Sequence, residues 1–306
     1  MSSGKELTFI IYAPRFDEYS GGAIALHRLC HLLRCAGESA YLWQMGKPSP
    51  RVYGGLSLKA RQAYFSLLAR RNGPFHRRAD FDSPVASVAQ LNNAIVVYPE
   101  TVSGDPLGTG RCVRWFLHRP GFHTGSVDYG DDDLMFYYQD AFKDESTGLM
   151  DGGWLQTLWV RDDVYTPPSS GEREGECYMI RKAEPDQHVH HPDALCLDGL
   201  SHEAIAREFQ HRERFICYDL YTLYSCYAAA CGCDSIVVPD PQVDKSAWHP
   251  DERKRYGLAY GVDDLDWARS TRHRALEYMK FEEREAAESV VRFVATCRDF
   301  FGSQAP

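Results

Sequence analysis

The chain has 306 residues, 44% hydrophobic and 25% charged, with a formal net charge of −9. That balance fits one large or two medium globular domains, and the acidic excess argues against a general nucleic-acid footprint while leaving room for a local phosphate-binding patch. No apolar run approaches the length of a membrane span, and Met1–Glu6 leads straight into a strand with no secretory apolar region, so the ten cysteines are expected as free thiols of a cytoplasmic chain.

Leu7 to Ala13 reads as a first strand, and Tyr19-Ser-Gly-Gly22 opens a helix with a broad apolar stripe ending at Gly37. Ala40 to Trp43 is the next strand. Strand, Gly-rich turn, helix and strand in that order begin a doubly wound α/β domain. His27 and His31 lie one helical turn apart, a spacing met more often by core-edge histidines than by a metal pair. Leu58 to Arg71 reads as a helix with a solvated basic face, which could also touch an anionic lipid surface or a lipid-linked acceptor.

Ala94 to Tyr98 is a strand ending in Pro99-Glu100, and Cys112 to Leu117 is another, ending in His118. Residues at the C-terminal ends of parallel strands stand where α/β ligand sites form. Leu134 to Tyr138 and Leu155 to Val160 read as the last strands of the first half. Asp131-Asp-Asp133 reads as a solvated turn, because no second ligand group is in view for a cation. The Pro-, Ser- and Gly-rich stretch 166–176 is the expected boundary, with domains over 1–168 and 176–306.

The second half restarts with the strand Cys177 to Ile180, followed at once by Arg181-Lys182. His188-Val-His190-His191 reads as a polar loop, since no nearby thiols or acids complete a zinc set. Ala194 to Leu197 is a strand, Asp198-Gly-Leu leads to a helix capped by Ser201, and Asp263-Asp264 can cap a later helix. Phe281 to Phe301 is a long charged amphipathic helix. The stretch 214–239 is the most informative. Phe215 to Cys217 and Ile236 to Val238 are buried parallel strands, and the Ala-rich helix between them starts near Thr222 and stops at Gly232. Such a unit sets Asp219 at a strand end beside free helix N–H groups near Thr222, a place for ligand hydroxyls and an anion.

Asp219, the small residue opening the helix, Ala228-Ala-Ala-Cys-Gly232 and the apolar strand after it resemble the nucleotide-sugar signature of GT-B glycosyltransferases, family 4 in particular. The resemblance implies an α/β fold of two Rossmann-like domains facing across a cleft, and transfer of a sugar from a nucleotide-sugar donor to a glycan or lipid-linked acceptor with retention of configuration. It gives Asp219 the donor-sugar hydroxyls. Tyr227 stands at the second acidic position, offering one hydroxyl where a carboxylate accepts two bonds. Gly21-Gly22 resembles the loop that approaches the donor phosphates, and His118 the cleft histidine that contacts the donor sugar. Arg181 and Lys182 resemble the diphosphate clamp, and Leu197 and Gly199 border the base. Tyr218, Tyr221 and Thr222 complete the donor turn. Glu100 and His118 are the candidate bases should the reaction invert. No metal or other cofactor is implied, because the basic pair and the helix start can supply the positive charge. Peripheral contact with the inner membrane face and a homodimer stay open. So do two other readings, a nucleotide-sugar epimerase or hydrolase and a non-catalytic nucleotide-binding subunit of a polysaccharide-assembly complex.

Overall fold

The computed structural model describes residues 7–167, 171–181, 183 and 188–302. It falls into two compact units, the first formed by 1–159 with 284–306 and the second by 160–283. The division precedes the linker read at 166–176, and the final helix contributes to both units.

In the first unit the elements are β1 (Thr8–Ala13), α1 (Gly21–Cys35), β2 (Ser39–Gln44), α2 (Gly55–Asn72), β3 (Ala94–Pro99), β4 (Cys112–Phe116), β5 (Leu134–Tyr137) and β6 (Met150–Trp154). The six strands form one parallel sheet in the order β2-β1-β3-β4-β5-β6. Strand β1 shows why it is central. Phe9, Ile11 and Ala13 face α1 residues Leu26, Leu29 and Leu33, while Ile10 and Tyr12 face Trp43, Val96 and Tyr98 on the other side. Period-two alternation with both faces apolar is what a strand covered on both sides requires. Ser20 caps α1 by accepting from the Ala23 amide.

The second unit holds β7 (Glu176–Met179), β8 (Leu195–Cys196), α3 (His202–His211), β9 (Arg214–Cys217), α4 (Leu223–Ala230), β10 (Asp234–Val237), α5 (Lys245–Trp248), β11 (Leu258–Tyr260) and α6 (Leu265–Thr271). Its five strands are also parallel, in the order β11-β10-β9-β7-β8. Helix α7 (Ala275–Gly302) begins here and continues into the first unit. There Val290, Phe293, Val294, Cys297 and Phe301 join the core above β1 and α1. Two parallel α/β sheets of this kind are consistent with two Rossmann-like domains.

Three local expectations are corrected. The stretch from Leu155 to Val160 is not a strand; the edge strand is β6, in a less apolar stretch upstream. Gly152 is required there, since a Cβ would stand 2.6 Å from the Phe136 ring. Asp264 does not cap α6 with its side chain; its carboxylate accepts from Lys245 Nζ and the Tyr260 amide. Asp133 is no solvated turn residue but half of a buried ion pair, 2.6 Å from Arg114 Nε with side chains 9% and 1% exposed. The other guanidinium nitrogens of Arg114 donate to the Val102 and Gly104 carbonyls, so that charge is fully engaged.

Candidate functional site

In the second unit the chain steps from β7 to β8 on one side, then returns to β9 on the other. The carboxyl ends of β7 and β9 therefore flank the point where strand order reverses, the usual ligand crevice of open α/β sheets. Two sequence candidates meet there. Arg181 follows β7, Asp219 follows β9, and Arg181 Nε lies 3.7 Å from Asp219 Oδ2. The separation is that of an ion pair without a hydrogen bond, so the guanidinium keeps donors to offer.

Local chemistry fixes both. Asp219 Oδ1 accepts from the Tyr221 amide at 3.1 Å, an Asx turn that aims the other oxygen at Arg181. Thr222 then caps α4 through the Tyr224 amide, and Gly232, at φ +89°, stops the helix beside the Arg173 guanidinium. Arg181 itself adopts φ +52°, unusual for a residue with a side chain. Asp198 holds it there, accepting from the Ile180 amide at 2.8 Å and the Arg181 amide at 3.3 Å. The guanidinium carbon also stands 5.0 Å from the Tyr224 ring centroid. Sequence reasoning took Asp198 only as part of the Leu197 to Gly199 loop bordering the base, not as the brace of Arg181; the signal was an acid directly after a strand that pairs with β7.

The remaining donor-side candidates divide. Tyr218 is part of the crevice wall, where its hydroxyl accepts from the Val189 amide at 2.7 Å and meets His190 Nδ1 at 2.8 Å. The His190 ring stacks on Tyr178 at 3.7 Å, so the loop read as merely polar packs an imidazole onto the sheet end. Burial, then the neighbouring His188, lowers the His190 pKa and favours the neutral ring. Tyr221 is exposed, with its ring edge-on to His249 at 5.7 Å. Burial, then Lys254 and Arg255, pushes the His249 pKa down to about 4. Gly199 sits in a turn at φ +83° with open space around it, whereas the Leu197 side chain is wholly buried. Tyr227 is only 4% exposed. It is stacked on Tyr165 at 4.0 Å, and its hydroxyl accepts from the Arg161 amide. Lys182 lies outside the described residues.

In the first unit the strand order reverses between β1 and β3. Gly21 and Gly22 begin α1 beyond β1, and neither has positive φ or a crowded Cβ position; the nearest atom to Gly22 is Leu117 Cδ1 at 3.7 Å. Glu100 follows β3 and is buried, with Oε2 accepting from the Leu117 amide at 3.1 Å. Burial raises its carboxyl pKa despite that bond. His118 follows β4 in an aromatic nest of Phe122, Phe142 and His123, with centroids at 4.2, 4.9 and 5.1 Å. A cavity of about 720 Å³ opens at the ends of β1 and β2, lined by Arg15, Asp17, Gln44, Tyr64, Leu68 and His76 among others. Among the described residues no three His, Cys, Asp or Glu side chains gather to hold a metal ion. Comparison of the sequence with models of protein families gives no match, and comparison with curated proteins gives none either.

Proposed function

We propose that the chain is a GT-B glycosyltransferase that moves a sugar from a nucleotide-sugar donor to a saccharide or lipid-linked glycan. The observation that carries the reading is the Arg181–Asp219 pair at the strand-order reversal of the second unit, beside the Thr222-capped start of α4. A departing nucleoside diphosphate gathers negative charge. Arg181 and the positive dipole end of α4 can stabilise that charge without a metal. Asp219 then has the donor sugar within its reach and orients it through its hydroxyls. Glu100 supports an inverting variant, since a carboxyl with a raised pKa is a better proton acceptor near neutrality. The burial of Tyr227 removes a ribose ligand at the second acidic position and favours one alternative, a nucleotide-binding subunit without turnover.

A panel of UDP-, GDP- and dTDP-sugars read by thermal shift identifies the donor, and calorimetry beside steady-state kinetics assigns the roles. Arg181→Ala is expected to weaken donor and free nucleoside diphosphate alike, by roughly 1.5–3 kcal/mol for a charge-assisted hydrogen bond. Asp219→Asn is expected to leave free diphosphate binding nearly unchanged while depressing turnover, because a bond that orients the sugar matters most in the transition state. Donor affinity is expected to be the same with and without EDTA. Donor binding with no acceptor-dependent release of diphosphate would instead identify the non-catalytic subunit, and donor conversion without acceptor an epimerase.

A further inference from the structure

Two acids bring Arg181 to the crevice, but they act on it unequally. Asp198 engages the Ile180 and Arg181 amides, whereas Asp219 faces the guanidinium at 3.7 Å, too far for a hydrogen bond. The Arg181 side chain is 29% exposed. A loose arginine loses rotamer freedom when it closes on an anion, which weakens the clamp. Beneath the guanidinium carbon, at 5.0 Å, lies the ring of Tyr224, itself only 7% exposed. A cation is held more strongly on a desolvated ring face than on an exposed one. Attraction to a face needs no hydrogen-bond acceptor, so the N–H fork stays available to phosphate oxygens.

Tyr224 belongs to a buried aromatic layer. The His202 ring lies offset and nearly parallel to it, with centroids 5.6 Å apart and planes 21° apart. His202 Nδ1 is hydrogen-bonded to the Tyr165 hydroxyl at 2.6 Å, and Tyr165 lies flat on Tyr227 at 4.0 Å. His202 opens α3, while Tyr224 and Tyr227 stand one turn apart in α4, so the layer ties both helices to the chain at Tyr165. Leucine or phenylalanine would suffice for packing. These residues keep hydroxyls and an imidazole that need partners once buried.

We propose that Tyr224 is a positioning residue of the crevice: its ring face keeps the Arg181 guanidinium aimed at the anion, and the buried Tyr165–His202 pair keeps that ring from turning. The inference rests on the reading of Arg181 as a diphosphate clamp and adds what orders the clamp before the ligand arrives.

The test has a ligand-free arm and a binding arm, both on the full chain. Without ligand, the Arg181 Nε–H resonance, identified by its loss in Arg181→Lys, should carry a ring-current shift. Tyr224→Phe should keep that shift, Tyr165→Phe should lessen it and Tyr224→Leu should remove it. The binding arm is calorimetry with free UDP, GDP and dTDP, in which Tyr224→Phe should match the parent. Phenylalanine bearing one, two or three ring fluorines at position 224 keeps the shape while draining the face of negative charge. Affinity should then fall stepwise, by about fivefold across the series. In an Arg181→Ala background the same series should be flat, an outcome that a packing role for the ring would not produce. Thermal unfolding reports whether each variant is folded, and the fluorine series remains decisive if Tyr224→Leu is not. A shift untouched by Tyr224→Leu, or a fluorine series equally steep without Arg181, overturns the inference. A shift unchanged in Tyr165→Phe overturns the part given to the buried pair. If no diphosphate binds while the shifts behave as expected, the nucleotide reading fails and the anion role with it, whereas the Tyr224–Arg181 contact is upheld.

Discussion

Glu100 illustrates how far one buried side chain can separate stability from function. In the folded chain burial raises its carboxyl pKa above the ordinary value of about 4.3. Below that ordinary value both folded and unfolded chains hold the proton, and no stability is lost. As pH rises toward and through the folded value, the unfolded chain has already released its proton, and folding must bury a charge. Stability therefore falls over that window. Glu100→Gln keeps an acceptor for the Leu117 amide and removes the charge, so it should raise the urea midpoint at pH 7 and leave it nearly unchanged below about pH 4. A midpoint equal to that of the parent at both pH values would show that the carboxylate is solvated. If the residue also serves as a base, the same variant trades activity for stability, as strained functional sites commonly do.

At the scale of elements, α7 supplies several core residues of the first unit. Phe293 is fully buried, with ring centroids 5.6 Å from Phe9 and 4.8 Å from Phe136. Phe293→Ala should destabilise the first unit by about 3–5 kcal/mol, the usual cost of a core aromatic truncation. Urea unfolding followed by far-ultraviolet circular dichroism reports it; a shift below 1 kcal/mol, roughly a solvent-exposed substitution, would mean the helix end is not docked. Elements were legible in the sequence where local rules suffice. The β9–α4–β10 stretch, its Thr222 cap and its Gly232 stop follow from neighbours a few residues apart. The edge strand β6 was hidden, because Met150-Asp-Gly-Gly-Trp154 carries no strand pattern and is fixed by the Phe136 ring against Gly152. The candidate crevice was half visible. Asp219 and Arg181 stood out by position, whereas the Asp198 brace, the stacking of His190 on Tyr178 and the burial of Tyr227 depend on distant segments.

For the whole molecule, the assignment of residues 284–306 to the first unit makes the second unit an insertion within the first. A chain stopped at Glu283 lacks Val290, Phe293, Val294, Cys297 and Phe301, and so exposes the α1 side of the first sheet. In hydrogen exchange of that shortened chain, amides of β1 to β6 should lose protection while those of β7 to β11 keep it. Equal protection in both units would show that the last helix is dispensable. The same connectivity bears on how the protein is made. A ribosome delivers the first sheet early but withholds its final covering helix until the 160–283 segment has been synthesised, a delay on the order of 10 s at typical elongation rates. During that interval the second unit has all of its own strands before the first is complete, so the order of maturation runs against the order of synthesis. The nascent first sheet, with Phe9 and Phe136 uncovered, is then the natural client for a chaperone.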